Sequence, residues 1–301
     1  MTTKKKTVLI VIIVLVLLIG IEAISFLIFK NSVQRNDLGY KRTKIYNIEN
    51  YDWFFRDYTG TNARKRPIFC VGNAYMSGEG VNYNKTLPAL ISKISGRTVH
   101  ERAIPGTSAT SILEEFQSGR YKEIAPNAEY FIYIYYSSQL GSLYQYQIDY
   151  SESELNVRYK LNNEDNLVRI KNPKFPMLNS LFFVKNIQKT WSDFISRNEY
   201  NDFTLFTKVM RAIMKEKKAQ FPDAKFVVIY YPEIDNVNTD SQPFEPEIIR
   251  KLKRIGFIVI NAEDLTDLPI CEQKYINEEF GSPTDTVWES ISPALAKKLN
   301  L

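Results

Sequence analysis

The stretch Pro67-Ile-Phe-Cys-Val-Gly-Asn-Ala-Tyr-Met-Ser-Gly-Glu-Gly80 decides the fold. It opens with a short apolar run, Pro67–Gly72, bounded by charge on one side and by a glycine-containing loop on the other. Such a run reads as a strand rather than a helix, because it is short and ends in turn residues. It is apolar at every position, not at alternate ones, so it belongs in a parallel sheet covered on both faces. An amphipathic helical segment, Leu87–Ser95, follows the loop. Strand, loop and helix in that order open an α/β domain.

Working outward, the same alternation repeats. Strands are expected at Thr98–Ala103, Tyr130–Tyr136, Lys225–Tyr231 and Phe257–Asn261. Helices are expected at Ser108–Gln117, Phe203–Lys218, Pro246–Arg254 and Ser290–Leu299. The pattern predicts an α/β fold, a doubly wound parallel sheet in three layers of the flavodoxin-like kind, over residues 67–301. Residues 144–200 are polar, contain the turn-like Asn162-Asn163-Glu164-Asp165-Asn166, and read as an insertion. Residues 30–66 are polar and aromatic without periodicity, and read as a juxtamembrane stalk.

Upstream lies Val8–Phe29, VLIVIIVLVLLIGIEAISFLIF. As a helix it is about 33 Å long, enough to cross the hydrocarbon of a bilayer. Glu22 opposes insertion by on the order of 2–3 kcal/mol, which the aliphatic residues outweigh. Ala23-Ile24-Ser25 offers small residues suited to signal-peptide cleavage, but the apolar run exceeds the usual ~7–15 residues and continues past that site. The segment therefore reads as a single-pass anchor, residues 8–29, behind a short basic tail, residues 1–7. Lys4, Lys5 and Lys6 favour a cytoplasmic N-terminus, with the domain outside the cytoplasm. The lipid bilayer is the first expected partner.

Composition narrows the function. The net charge of +5 is mild, and neither Lys4–Lys6 nor Arg64–Arg66 forms a nucleic-acid groove. Cys70 and Cys271 lack metal-ligand spacing, and Cys70 sits inside an apolar strand. No metal cluster is visible. No cofactor is implied: Gly78-Glu79-Gly80 is not followed by Lys-Ser/Thr, and the glycines do not match a dinucleotide fingerprint. His100 is the only histidine, in or before the second strand, and reads as a satisfied histidine rather than a catalytic base.

In an open parallel sheet, ligands bind beyond the carboxyl ends of the strands. The loops there read Gly72-Asn73-Ala74-Tyr75-Met76-Ser77-Gly78-Glu79-Gly80, then Ile104-Pro105-Gly106, then Ser137-Ser138, and finally Thr284-Asp285-Thr286-Val287-Trp288. In this order the blocks resemble those of SGNH (GDSL-type) hydrolases over roughly Pro67 to Leu301. The last block is similar to the T-D-x-H-W variant of membrane-associated, alginate-type polysaccharide O-acetyltransferases.

The resemblance implies an ester-cleaving or acyl-transferring site, yet the residues depart from it. Ala74 takes the nucleophile position, Asn73 that of the preceding acid, Ser138 that of the oxyanion asparagine and Val287 that of the histidine. Gly106 and Asp285 fit the pattern. A methyl group cannot attack a carbonyl, and without an imidazole the usual general base is missing. The expectation is a degenerate, inactive domain serving as a binding or accessory subunit in cell-envelope polysaccharide acylation. A membrane acyltransferase or an envelope glycan would be its partner. The alternative is an active esterase or O-acetyltransferase with a rearranged site built on Asp285 and a nearby serine.

Overall fold

The computed structural model describes residues 55–104, 108–136, 158–162, 164, 166–170, 204–232, 245–277 and 281–301, with residues 17 and 20–25 upstream. Those upstream residues are helical, but most of the anchor segment 8–29 lies outside the described residues. Among the described residues no helix is long and apolar enough to cross a membrane.

Six strands form the central sheet. They are β1 (Phe55–Tyr58), β2 (Ile68–Gly72), β3 (Val99–Ala103), β4 (Tyr130–Tyr135), β7 (Lys225–Tyr230) and β8 (Ile258–Asn261). Two more, β5 (Arg158–Leu161) and β6 (Leu167–Ile170), pair as a separate antiparallel hairpin. The sheet order is β1-β3-β2-β4-β7-β8. Every neighbouring pair is parallel except β1 with β3. Without β1, the parallel strands follow the 2-1-3-4-5 order of flavodoxin-like doubly wound sheets.

The helices are α1 (Ala74–Ser77), α2 (Leu87–Ser95), α3 (Ala109–Gln117), α4 (Arg120–Ile124), α5 (Thr204–Gln220), α6 (Glu245–Ile255) and α7 (Asp285–Leu299). Each face of the sheet has its own core. Phe69, Phe131, Tyr133 and Phe226 meet residues of α3 to α6 on one side. Ile68, Cys70, Ile132 and Ile229 meet residues of α1, α2 and α7 on the other. Adjacent positions of β2 thus feed opposite cores, which is why its sequence is apolar throughout.

Three features differ from the sequence expectation. Phe55–Tyr58, read as stalk, is the antiparallel edge of the sheet, so the domain begins before Pro67. Only Tyr58 is buried, and Asp57 faces solvent, so four edge residues carry no apolar pattern. Helix α7 starts at Asp285, not Ser290, because Thr284 precedes a first turn whose Val287 and Trp288 are both buried. The expected insertion contains the β5–β6 hairpin. There the Asn162 side chain accepts hydrogen bonds from the Glu164 and Asn166 N–H groups, an Asx arrangement that closes the turn.

Candidate functional site

The carboxyl ends of β2, β3, β4, β7 and β8 form one edge of the sheet, and the first block starts there. Gly72 ends β2 with φ of 124°, a conformation favouring glycine. A Cβ at Gly72 would lie 2.7 Å from the Tyr133 ring. Asn73 follows as the cap of α1. Its Oδ1 accepts from Tyr75 N at 3.0 Å and Met76 N at 3.4 Å. Its Nδ2 donates to the Ile134 carbonyl at 2.8 Å. Asn73 is thus buried and committed to holding the loop on β4, a capping role suited to asparagine.

Ala74 is 4% exposed and opens α1. The nearest serine, Ser77, donates its hydroxyl to the Ala74 carbonyl at 3.0 Å. Ser108 caps α3 through Thr110 N at 3.4 Å and bonds the Thr110 hydroxyl at 2.8 Å. Neither is presented to a base.

Residues just before the last block pack on the first. The Tyr75 hydroxyl donates to the Gly281 carbonyl at 3.0 Å. Ser282 donates to the Glu79 carbonyl, and Asn277 to the Gly80 carbonyl. The structure therefore holds the segment that leads into the last block against the first block. Among the described residues, Ala74, Asp285 and Val287 are not joined by any hydrogen bond or ion pair. Val287 is fully buried in the core beneath α7. Asp285 pairs with Lys85 at 3.2 Å, and Lys85 also pairs with Glu289 at 3.1 Å. Gly106 and Ser138 lie outside the described residues.

Aromatic rings that sequence reasoning did not single out fill this edge. Tyr75 stacks on Tyr136 with centroids 4.1 Å apart and meets Tyr231 edge-on at 5.4 Å. Tyr231 packs against Trp288 at 6.1 Å and donates to the Ile270 carbonyl. Trp288 is fully buried, and its indole N–H has no hydrogen-bond partner among the described residues. The signal available in sequence was that Tyr136 and Tyr231 each directly follow a strand; their meeting across the edge depends on strand order. The rings pack face to face and edge to face, and the Tyr75 and Tyr231 hydroxyls are given to backbone carbonyls.

At this edge Cys271 Sγ lies 3.9 Å from Glu263 Oε1, and both are close enough to act on Tyr231; further ionisable groups sit on the opposite flank of the sheet. His100 Nδ1 lies 2.9 Å from Asp57 Oδ1, on the β1–β3 side of the sheet. Burial raises the Asp57 carboxyl, but the hydrogen bond with His100 and the charge of Arg102 outweigh it and hold the group below its ordinary value. Glu101, fully buried, accepts from the Tyr58 hydroxyl at 2.9 Å, with Arg56 at 4.0 Å. Burial pushes this carboxyl up to about 7 against the pull of Arg56 and Tyr58. Cys70, its register partner on β2, is likewise raised by burial and by Glu101. Cys70 and Cys271 are not joined in a disulfide. Among the described residues there is no group of three metal-ligating side chains.

No family model matches the chain, and no curated protein matches it. Solved structures with a similar trace include a lipase from a goat rumen metagenome, with 11% identity, 77% of this chain and 97% of that one covered, and a TM-score of 0.48. Phospholipase A1 from Streptomyces albidoflavus is similar at 10% identity over 77% of this chain and 99% of its own, with a TM-score of 0.46. A structure assigned to the G-D-S-L lipolytic family, from Desulfitobacterium hafniense, is similar at 9% identity over 77% and 99%, with a TM-score of 0.45.

Proposed function

We propose that this chain is a membrane-tethered SGNH-hydrolase-like domain without hydrolytic activity. On this reading it works as a binding or accessory subunit in cell-envelope polysaccharide acylation, outside the cytoplasm and beside a membrane acyltransferase. One observation carries the reading. The positions that the resemblance gives to nucleophile and base, Ala74 and Val287, are apolar and buried, and rings occupy the surrounding edge. Removing either member of a nucleophile–base unit abolishes nearly all covalent catalysis.

The alternative active site needs Asp285 and a serine acting together. Asp285 is held by Lys85, and Ser77 and Ser108 are engaged locally, so no observation favours it. The test is hydrolysis of 4-nitrophenyl acetate and acetylated glycan by the purified full chain in detergent. The expected rate equals that of heat-inactivated protein, for the native chain and for Ala74→Ser alike. Turnover by the native chain that Asp285→Ala abolishes would overturn the proposal.

A further inference from the structure

At the other end of the sheet, α5 and α6 flank an open groove of about 340 Å³. It is lined by Arg211, Lys215, Lys218 and Arg254, with Met214 and Ile255 as its apolar wall. α5 leads into the start of β7 and α6 into the start of β8. The groove is therefore at the amino end of the strands, away from the aromatic edge.

Its charge pattern is unusual for a solvated helix face. Arg211 and Lys215 are four apart on α5, and Lys215 and Lys218 are three apart, so all three project from one stripe. Like charges at these spacings repel and destabilise a helix. None of the four cations has an ion-pair partner among the described residues. On α5 Glu216 accepts from Gln220, on α6 Glu247 pairs with Lys251, and Asp223, in the turn after α5, acts on Lys217. Lys218 and Arg254 lie in last turns, where cations complement the helix dipole. Arg211 and Lys215 lie mid-helix, and the dipole does not account for them.

We propose that this groove binds a phosphate-bearing anion. Two guanidinium forks and two ammonium groups match several phosphate oxygens at once. The buried Met214 beside them limits solvent on one side, which strengthens charge pairing. Free polyphosphate and an anionic lipid headgroup present the same chemistry, and the experiment separates them.

Binding of pyrophosphate to the full chain in neutral detergent is measured by calorimetry. Binding to phosphatidylglycerol is measured in micelles doped with that lipid, against micelles doped with phosphatidylcholine. The groove variant is Arg211→Gln/Lys215→Gln/Lys218→Gln. The control neutralises three exposed lysines elsewhere, Lys93→Gln/Lys297→Gln/Lys298→Gln. Saturable binding weakened about tenfold or more in the groove variant only is the expected result. If pyrophosphate shows it, the ligand is a free phosphate group; if only phosphatidylglycerol does, it is a headgroup. No saturable binding of either probe, or equal weakening in both variants, would overturn the proposal. All substituted side chains are exposed, and an unchanged circular-dichroism melt verifies folding.

Discussion

At the carboxyl edge the sheet packs aromatic rings; along the β1–β3 side it pairs ionisable groups. Tyr75, Tyr136, Tyr231 and Trp288 meet where an open α/β sheet places its chemistry. On the β1–β3 edge pair Glu101 meets Tyr58 and Arg56, and on the opposite face His100 meets Asp57. At the carboxyl edge the rings are held by apolar packing, with the Tyr75 and Tyr231 hydroxyls donated to backbone carbonyls. The β1–β3 side shows the opposite economy: a short edge strand with one buried apolar residue is fastened by polar contacts.

The largest effect should come from the aromatic edge. Trp288→Ala removes a fully buried ring from the core that also holds Val287, Tyr231 and Leu295. The expected destabilisation is about 3–5 kcal/mol, read by denaturant unfolding of the detergent-solubilised chain. A loss below about 1 kcal/mol would mean that this edge is an open cleft, and the contrast would collapse.

The second effect belongs to Glu101. Its folded value, about 7, lies above the ordinary 4.5. The fold therefore favours the protonated carboxyl, which contributes stability below about pH 4.5. That contribution fades as pH rises through about 7, when a buried carboxylate must form. Glu101→Gln should be close to neutral at pH 4.5. At pH 8 it should stabilise by up to about 3 kcal/mol and flatten the pH dependence in between. Unfolding curves at the two pH values check this. Equal effects at both would show that Glu101 is ionised at no cost.

Gly72→Ala tests the carboxyl edge from the backbone side. The methyl would sit 2.7 Å from Tyr133, itself fully buried, on a residue at φ 124°. Overpacking of this kind costs about 1–3 kcal/mol, and a neutral thermal midpoint would show slack between β2 and β4.

Much of the architecture was legible because burial on both faces imprints itself on sequence. β4 is apolar along its whole length, and Leu87–Ser95 ends where its pattern ends, at Gly96, which caps the helix at φ 67°. β1 was not legible, since one buried residue in four leaves no period to read. Glu101 was hidden differently. In β3 alternate residues Val99, Glu101 and Ala103 face the core, and a charge on that face contradicts the expectation that glutamate turns to water. In the candidate site Ala74 and Val287 are apolar in the sequence and buried in the fold. The rings that fill the edge could not be read from the sequence, because Tyr75, Tyr136, Tyr231 and Trp288 meet only once strand order and the start of α7 are fixed.

The smallest effect separates the two regions most sharply. His100→Gln deletes the only imidazole of the chain and, with it, the 2.9 Å contact to Asp57. Asp57 is half exposed and keeps Arg102 at 3.0 Å, so the stability lost should stay below about 1 kcal/mol. The sign of its pH dependence is set by Asp57, whose folded value is depressed. That contribution is present above the ordinary carboxylate range and is lost as pH falls through the folded value. The variant should therefore differ from the native chain near neutral pH and converge with it in strong acid. No change in any acyl-transfer readout should accompany it. A histidine that fastens an edge strand shifts the melt near neutral pH; a melt unchanged at every pH would show that the His100–Asp57 contact contributes nothing to the edge.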